Sequence, residues 1–248
     1  MDRRTTRSAA RSLKAHAEDL KRWGVTGVPR RKRAVASAGS PKPAVSAATS
    51  TLPSKPIPRT SKPAASLEAI ERLVKDCTLC PLYKTATRHV FGEGDPRASL
   101  MFIGEAPGRD EDQQGRPFVG AAGQLLTKMI EAMGLKREQV YIANVLKHRP
   151  PENRVPEPNE MEACKPYLLE QIALIKPRVI CTLGAVATKA LLGPEIAITK
   201  VRGSRQLFEG ITLVPTFHPA YLLRNPDAKK DVWKDLKVVM EILRKQAA

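Results

Sequence analysis

Long apolar runs are missing from this chain of 248 residues. No stretch approaches the roughly 18 consecutive apolar residues of a membrane span, and no apolar core of a secretory signal is present. Cysteine is scarce too, with four in all: Cys77, Cys80, Cys164 and Cys181. In a soluble intracellular protein, the expectation here, a C-x-x-C pair such as Cys77–Cys80 is a metal or redox pair rather than a disulfide. Acid is in short supply: 25 Asp and Glu stand against 42 Lys and Arg, a formal charge of +17. Such a balance favours polyanionic partners, of which DNA and RNA are the commonest.

The first 65 residues lack large apolar side chains and hold 15 basic residues against 3 acidic ones. A segment of this kind cannot bury enough surface to offset its ordering entropy, and residues 1–65 read as a disordered basic tail rich in Pro, Ser and Ala. Within it, SAARSLKAHAEDLKRWGV has the pattern of a short helix and PRRKR that of a basic targeting signal. The remaining residues, 66–248, suffice for one well-cored domain.

What that domain does have is alternation. Four apolar, β-rich runs appear at ASLMFIG, VYIANV, RVICTLG and TLVPTFH. Between them lie helical patterns: GQLLTKMIEAM ending at Gly134, a second starting at an Asn159 cap and stopping near Pro177, and AVATKALL between Gly184 and Gly193. A last amphipathic helix covers about residues 230–245. The expected fold is a three-layer α/β/α sandwich around a four-stranded, mainly parallel sheet. Sites in such sheets form beyond the carboxyl ends of the strands. Those ends carry Gly104–Glu105–Ala106–Pro107–Gly108, then Asn144, Gly184 and His218. The first continues as GEAPGRDED, four acids in a basic chain.

These residues resemble the family-4 (type-4) uracil-DNA glycosylases. The resemblance is carried by GEAPGRDEDQQGRPFVGAAGQLL, by the Asn after the second strand, and by TFHPAYLLRNP, with CTLCPLYKTATRHVFGEGDP matching the family's iron–sulfur lead-in. It covers about residues 66 to 246. It implies an enzyme of base excision repair that flips uracil out of DNA and hydrolyses its N-glycosidic bond, leaving an abasic site. Phe118 matches the stacking aromatic, and Asn144 the amide that reads the base edge. His218 matches the donor to uracil O2, and Gly104 and Ala106 belong to the base-binding turn. Related glycosylases place an Asp where Ala106 stands, so Glu105 or Glu111 is left to orient water, with Glu105 favoured. In HPAYLLRNP, Leu222 and Leu223 are candidate wedges and Arg224 a candidate phosphate contact. The KVRG stretch and the KHRPPENR loop are further candidates for the DNA backbone.

The same resemblance implies a [4Fe–4S] cluster. Cys77, Cys80 and Cys164 match three of its ligands, while His148 in KHRPP stands where the family has the fourth cysteine. Either His148 ligates iron, the preferred reading, or Cys181 is recruited; zinc is the third alternative. The expected partner is uracil-containing DNA, acted on by a monomer that resides in a bacterial-type cytoplasm near the nucleoid. A binding or covalently trapping protein without turnover is the competing function, although HRPPENRVPEPNE lacks the KRRIH-type insertion of the trapping branch.

Overall fold

A computed structural model of the chain describes residues 66–245. The tail with its helical and PRRKR patterns therefore lies outside the described residues.

The four apolar runs form strands β2 (Leu100–Gly104), β3 (Tyr141–Asn144), β4 (Val179–Leu183) and β6 (Ile211–Thr216). Every residue of β2, β3 and β4 is buried, which is why they read as continuous apolar runs rather than as alternating ones. Their mutual pairing is parallel, in the order β3-β2-β4-β6. The expected four-stranded sheet is an undercount. Two short strands, β1 (Glu93–Gly94) and β5 (Gln206–Phe208), add antiparallel edges and make a six-stranded mixed sheet, β1-β3-β2-β4-β6-β5. Their two and three residues are too few for a periodic signal. The tight Glu209–Gly210 connection between β5 and β6, with both residues at positive φ, is the one cue that was available.

Eight α-helices are described: α1 (Leu67–Lys75), α2 (Arg109–Gln114), α3 (Ala121–Ala132), α4 (Pro158–Ile175), α5 (Ala185–Leu192), α6 (Ile198–Val201), α7 (Pro219–Arg224) and α8 (Lys229–Lys245). Helix α4 begins ahead of the expected Asn159 cap. Pro158 occupies the first turn, and the Glu160 carboxylate accepts the Glu157 N–H at 2.8 Å, closing a capping box.

Alternate strand residues separate two apolar layers. Phe102, Ile142, Cys181 and Val214 face α3, α7 and α8, joined by Leu126, Met129, Leu222 and Trp233. Met101, Ile103, Ala143 and Ile180 face the other way, with Leu168 and Ile172 of α4 and Ala187 of α5. The sheet is thus covered on both faces, and its polar carboxyl edge is left to the loops. No described helix is long and apolar enough to cross a membrane.

Candidate active site

At that edge lies a cleft of about 460 Å³ whose lining includes Glu105, Ala106, Glu111, Phe118, Asn144 and His218. Four separate stretches of sequence thus converge on one cavity. Parallel pairing explains part of it: Gly104 is in register with Asn144 across β2 and β3, so the turn after β2 and the asparagine ending β3 emerge together.

Close approach fixes the rest. A Cβ on Gly104 would lie 2.4 Å from Asn144 Oδ1 and 2.5 Å from the Phe118 ring, so only glycine lets both reach the floor. A Cβ on Gly123 would fall 1.9 Å from the Phe118 carbonyl, so α3 holds the Phe118 backbone at contact distance. Phe118 sits at φ 51°, a conformation uncommon for a bulky side chain and a mark of local strain. Its ring is buried and lies 5.6 Å, centroid to centroid, from that of His218.

Asn144 is 1% exposed, and its Oδ1 has no hydrogen-bond partner. An orphaned buried acceptor costs on the order of 1–3 kcal/mol, a cost recovered when a ligand donates to it. His218 caps α7, with its Nδ1 accepting the Ala220 N–H at 3.1 Å. A ring nitrogen that accepts carries no proton, so neutral His218 keeps its proton on Nε2 as the available donor. Burial, aided by the Arg224 charge and opposed by Glu111, pushes its pKa down to about 4. The ring is therefore uncharged at neutral pH.

The four acids of GEAPGRDED divide by role. Glu105 faces the cleft, and burial raises its carboxyl above the ordinary value. Glu111 also borders the cleft, but its carboxylate is committed to backbone. It accepts the N–H groups of Gly108 (3.1 Å), Val119 (2.8 Å) and Gly120 (2.9 Å), pinning the turn after β2 to the loop that carries Phe118. Asp112 is buried and accepts from Thr87 and Arg88 N–H at 2.8 and 3.2 Å. Asp110 is half-buried beside exposed Arg109. One acid of the four remains uncommitted in the cleft.

The two leucines of HPAYLLRNP part company. Leu222 of α7 is fully buried in the core, so its reading as a wedge is corrected: the helix turns Leu222 onto the apolar layer and leaves Leu223 outside it. Leu223 is 47% exposed and Arg224 lines the cleft. Arg202 of KVRG is also turned inward. It donates to Asp235 Oδ1 at 2.9 Å and lies over the Phe217 ring at 5.0 Å, bracing the segment before His218 rather than facing solvent. Pro150, Asn153, Arg154 and Tyr221 complete the wall. The first three belong to the KHRPPENR loop, and Tyr221 to the stretch His218–Pro219–Ala220–Tyr221 that follows the last apolar run.

Beside the cleft lies a cysteine region. The thiols of Cys80 and Cys164 share a small apolar cluster with Leu82, Leu146 and Ala163, against which Ala106 of the cleft also packs. The proximity of the two thiols lowers Cys80 to about 7 and raises Cys164, which is further raised by burial. Cys77 and His148 both open onto a second cleft of about 510 Å³. Three buried thiols and a buried imidazole thus lie within one neighbourhood, a donor set with the chemistry of an iron–sulfur site. Among the described residues no three His, Cys, Asp or Glu side chains are grouped to hold a single metal ion. Cys181 belongs elsewhere: it is fully buried in the layer beneath α8, on the opposite face of the sheet from α4 and Cys164. Burial and the charge of Asp235 raise its thiol.

Lys147 is fully buried between the two regions. Burial lowers its pKa to about 7, while three hydrogen-bond acceptors around Nζ favour the charged form.

Comparison with known proteins agrees with this geometry. A model of the uracil DNA glycosylase superfamily matches residues 91–237. A type-4 uracil-DNA glycosylase of Sulfurisphaera tokodaii is 49% identical over 186 residues, covering 71% of this chain and 84% of the relative. One from Thermotoga maritima is 45% identical over 184 residues, covering 73% and 96%. A type-5 enzyme of Pyrobaculum aerophilum is more distant, 30% identical over 173 residues, covering 62% and 74%. Matched along nearly all of its described length, this chain belongs to the uracil-DNA glycosylase superfamily and, within it, to the type-4 branch.

Proposed function

We propose that the chain removes uracil from DNA by hydrolysing the bond between the base and deoxyribose, leaving an abasic site for base excision repair. The observation that carries this reading is the convergence, in one cleft, of an orphaned amide oxygen, an aromatic ring and a neutral imidazole N–H. The base must first leave the helical stack, which costs a few kcal/mol and least at a mispair. Phe118 then stacks on the extruded base. Asn144 Oδ1 accepts uracil N3–H, and its amide N–H₂ donates to O4. Cytosine, with N3 an acceptor and an amine at C4, would set acceptor against acceptor at N3 and donor against donor at C4.

As the C1′–N1 bond breaks, electrons move onto the base and charge collects at O2. His218, neutral and donating from Nε2, stabilises that oxyanion, an interaction worth about 3–4 kcal/mol. The sugar becomes oxocarbenium-like, and water adds at C1′ and gives up a proton. Glu105 is the acceptor: it lines the cleft uncommitted, and its raised pKa makes it a better base than an exposed carboxylate. Glu111 acts indirectly, by fixing the turn. Gly104 and Ala106 shape the floor. Leu223 fills the gap left by the base and Arg224 contacts phosphate, with the binding strength falling steeply as salt rises.

Cys77, Cys80, Cys164 and His148 would hold a [4Fe–4S] cluster, with the sheet standing between this set and Cys181. When bound, such a cluster ties the loop behind Asn144 to the start of α4 and to the lead-in segment.

The test is a DNA oligonucleotide with a single uracil, incubated with protein and then with alkali. A strand break at the uracil is expected. An intact strand, or a protein–DNA band that survives denaturation, overturns turnover in favour of binding or covalent trapping.

A further inference from the structure

Nothing holds the Asn144 amide oxygen from the side-chain end, so its aim depends on the main chain. The pairing with β2 runs past the asparagine: Val145 N–H donates to the Gly104 carbonyl and Leu146 N–H to that of Glu105, both at 3.0 Å. The carbonyl of Asn144 itself is held differently, by Lys147 Nζ at 2.8 Å. The same nitrogen donates to the Phe91 carbonyl at 3.2 Å and to Gln171 Oε1 at 2.6 Å. Three acceptors use all three protons of an ammonium group. They come from three separate parts of the chain: the lead-in segment before β1, the end of β3, and α4.

A buried ammonium is costly, and no carboxylate pairs with Lys147 among the described residues. An apolar side chain would fill the same volume without that cost, but would leave the Asn144 carbonyl unmet. We infer that Lys147 is a positioning residue for base recognition, fixing the Asn144 carbonyl and with it the angle at which the amide enters the cleft. It touches neither base nor sugar and acts through Asn144. The inference rests on the uracil reading above, in which Asn144 meets the base edge.

The test is a double-mutant cycle on cleavage of a single-uracil oligonucleotide under single-turnover conditions, using full-length wild type, Lys147→Met, Asn144→Ala and the double variant. A misplacement of the order of 1 Å can slow a reaction by about a hundredfold, so Lys147→Met is expected to be about 10- to 100-fold slower than wild type. In the Asn144→Ala background it should add less than about twofold, because coupled residues are not additive. The same loss in both backgrounds, or no loss in the single variant, overturns the inference; a purely structural lysine gives the former. Thermal melting verifies that each variant is folded. Should Lys147→Met not fold, Lys147→Gln, whose shorter amide falls short of the Asn144 carbonyl, takes its place in the cycle: a loss confined to the Asn144 background supports the inference, and an equal loss in both overturns it. A wild type that fails to cleave refutes the function itself and is thereby distinguished from a failure of the Lys147 assignment.

Discussion

The base cleft and the cysteine region border the same loop, from Asn144 to the start of α4, yet they are organised in opposite ways. The cleft is set by main chain. Glu111 gathers three N–H groups, the Ala220 N–H sets the His218 tautomer, and two glycines bring backbone within contact of Phe118 and Asn144. Its reactive groups are left open: an acceptor without a partner, a donor on Nε2, a carboxylate facing space. The cysteine region is set by packing: Cys80 and Cys164 sit in a buried apolar cluster with Leu82, Leu146 and Ala163. A site that must bind and release keeps unmet valence on a rigid frame facing space; a site that staples elements together is closed into the interior. The first should fail in activity when mutated, and the second in integrity.

The sharpest way to break this contrast is His218→Leu. Loss of the oxyanion donor should lower kcat by about 10²–10³ while leaving the melting temperature near that of wild type; a variant that instead unfolds would make the cleft a structural element. Asn144→Asp comes next. Replacing the amide N–H₂ by an acceptor should slow uracil release by on the order of a hundredfold, and competition between uracil and cytosine oligonucleotides should show selectivity shifting toward cytosine. An unchanged uracil rate would remove Asn144 from base recognition.

The two leucines of α7 put the contrast within one helix. Leu222→Ala should cost about 2–5 kcal/mol in urea unfolding, whereas Leu223→Ala should leave stability within about 0.5 kcal/mol and reduce activity on duplex substrate only. Across the loop, brown protein with absorbance near 400 nm is expected. His148→Ala should disturb that absorbance and Cys181→Ala should not; the reverse would move the fourth ligand through the sheet.

The imidazole of His218 also governs pH dependence. The His218 pKa is about 4 in the folded chain against an ordinary 6.5. The unfolded chain therefore takes up a proton first, and stability falls as pH drops from about 6.5 toward 4. His218→Leu should lose less stability than wild type over that window. Activity that declines with a midpoint near 6.5 in wild type, assigned to His218 by its absence in a His218→Gln variant, would contradict the neutral, buried imidazole.

How much of this could be read in advance varied from place to place. The four parallel strands were legible because strands buried on both faces appear as unbroken apolar runs. The edge strands were not, being only two and three residues long. The residues of the cleft were legible because their order along the chain matches a family, and the cleft gathers them. Leu222, and Glu111 as the alternative to Glu105, needed the structure for a common reason. Type and position made each a candidate, but whether a leucine turns in or out, and whether a carboxylate is free or spent on N–H groups, depends on distant neighbours. Lys147, read with the KHRPPENR loop as a candidate for the DNA backbone, is instead fully buried with three carbonyl-type oxygens around it, which only the structure shows.

By itself, then, the order of residues determined the alternating architecture, the chemical inventory of the cleft and the family, because periodicity and motif spacing are properties of the chain. Tertiary structure alone decided which candidates are available to react. Burial, tautomer and hydrogen-bond occupancy arise from groups far apart in sequence, and they give Glu105 and Glu111, Leu223 and Leu222, and His148 and Cys181 different surroundings.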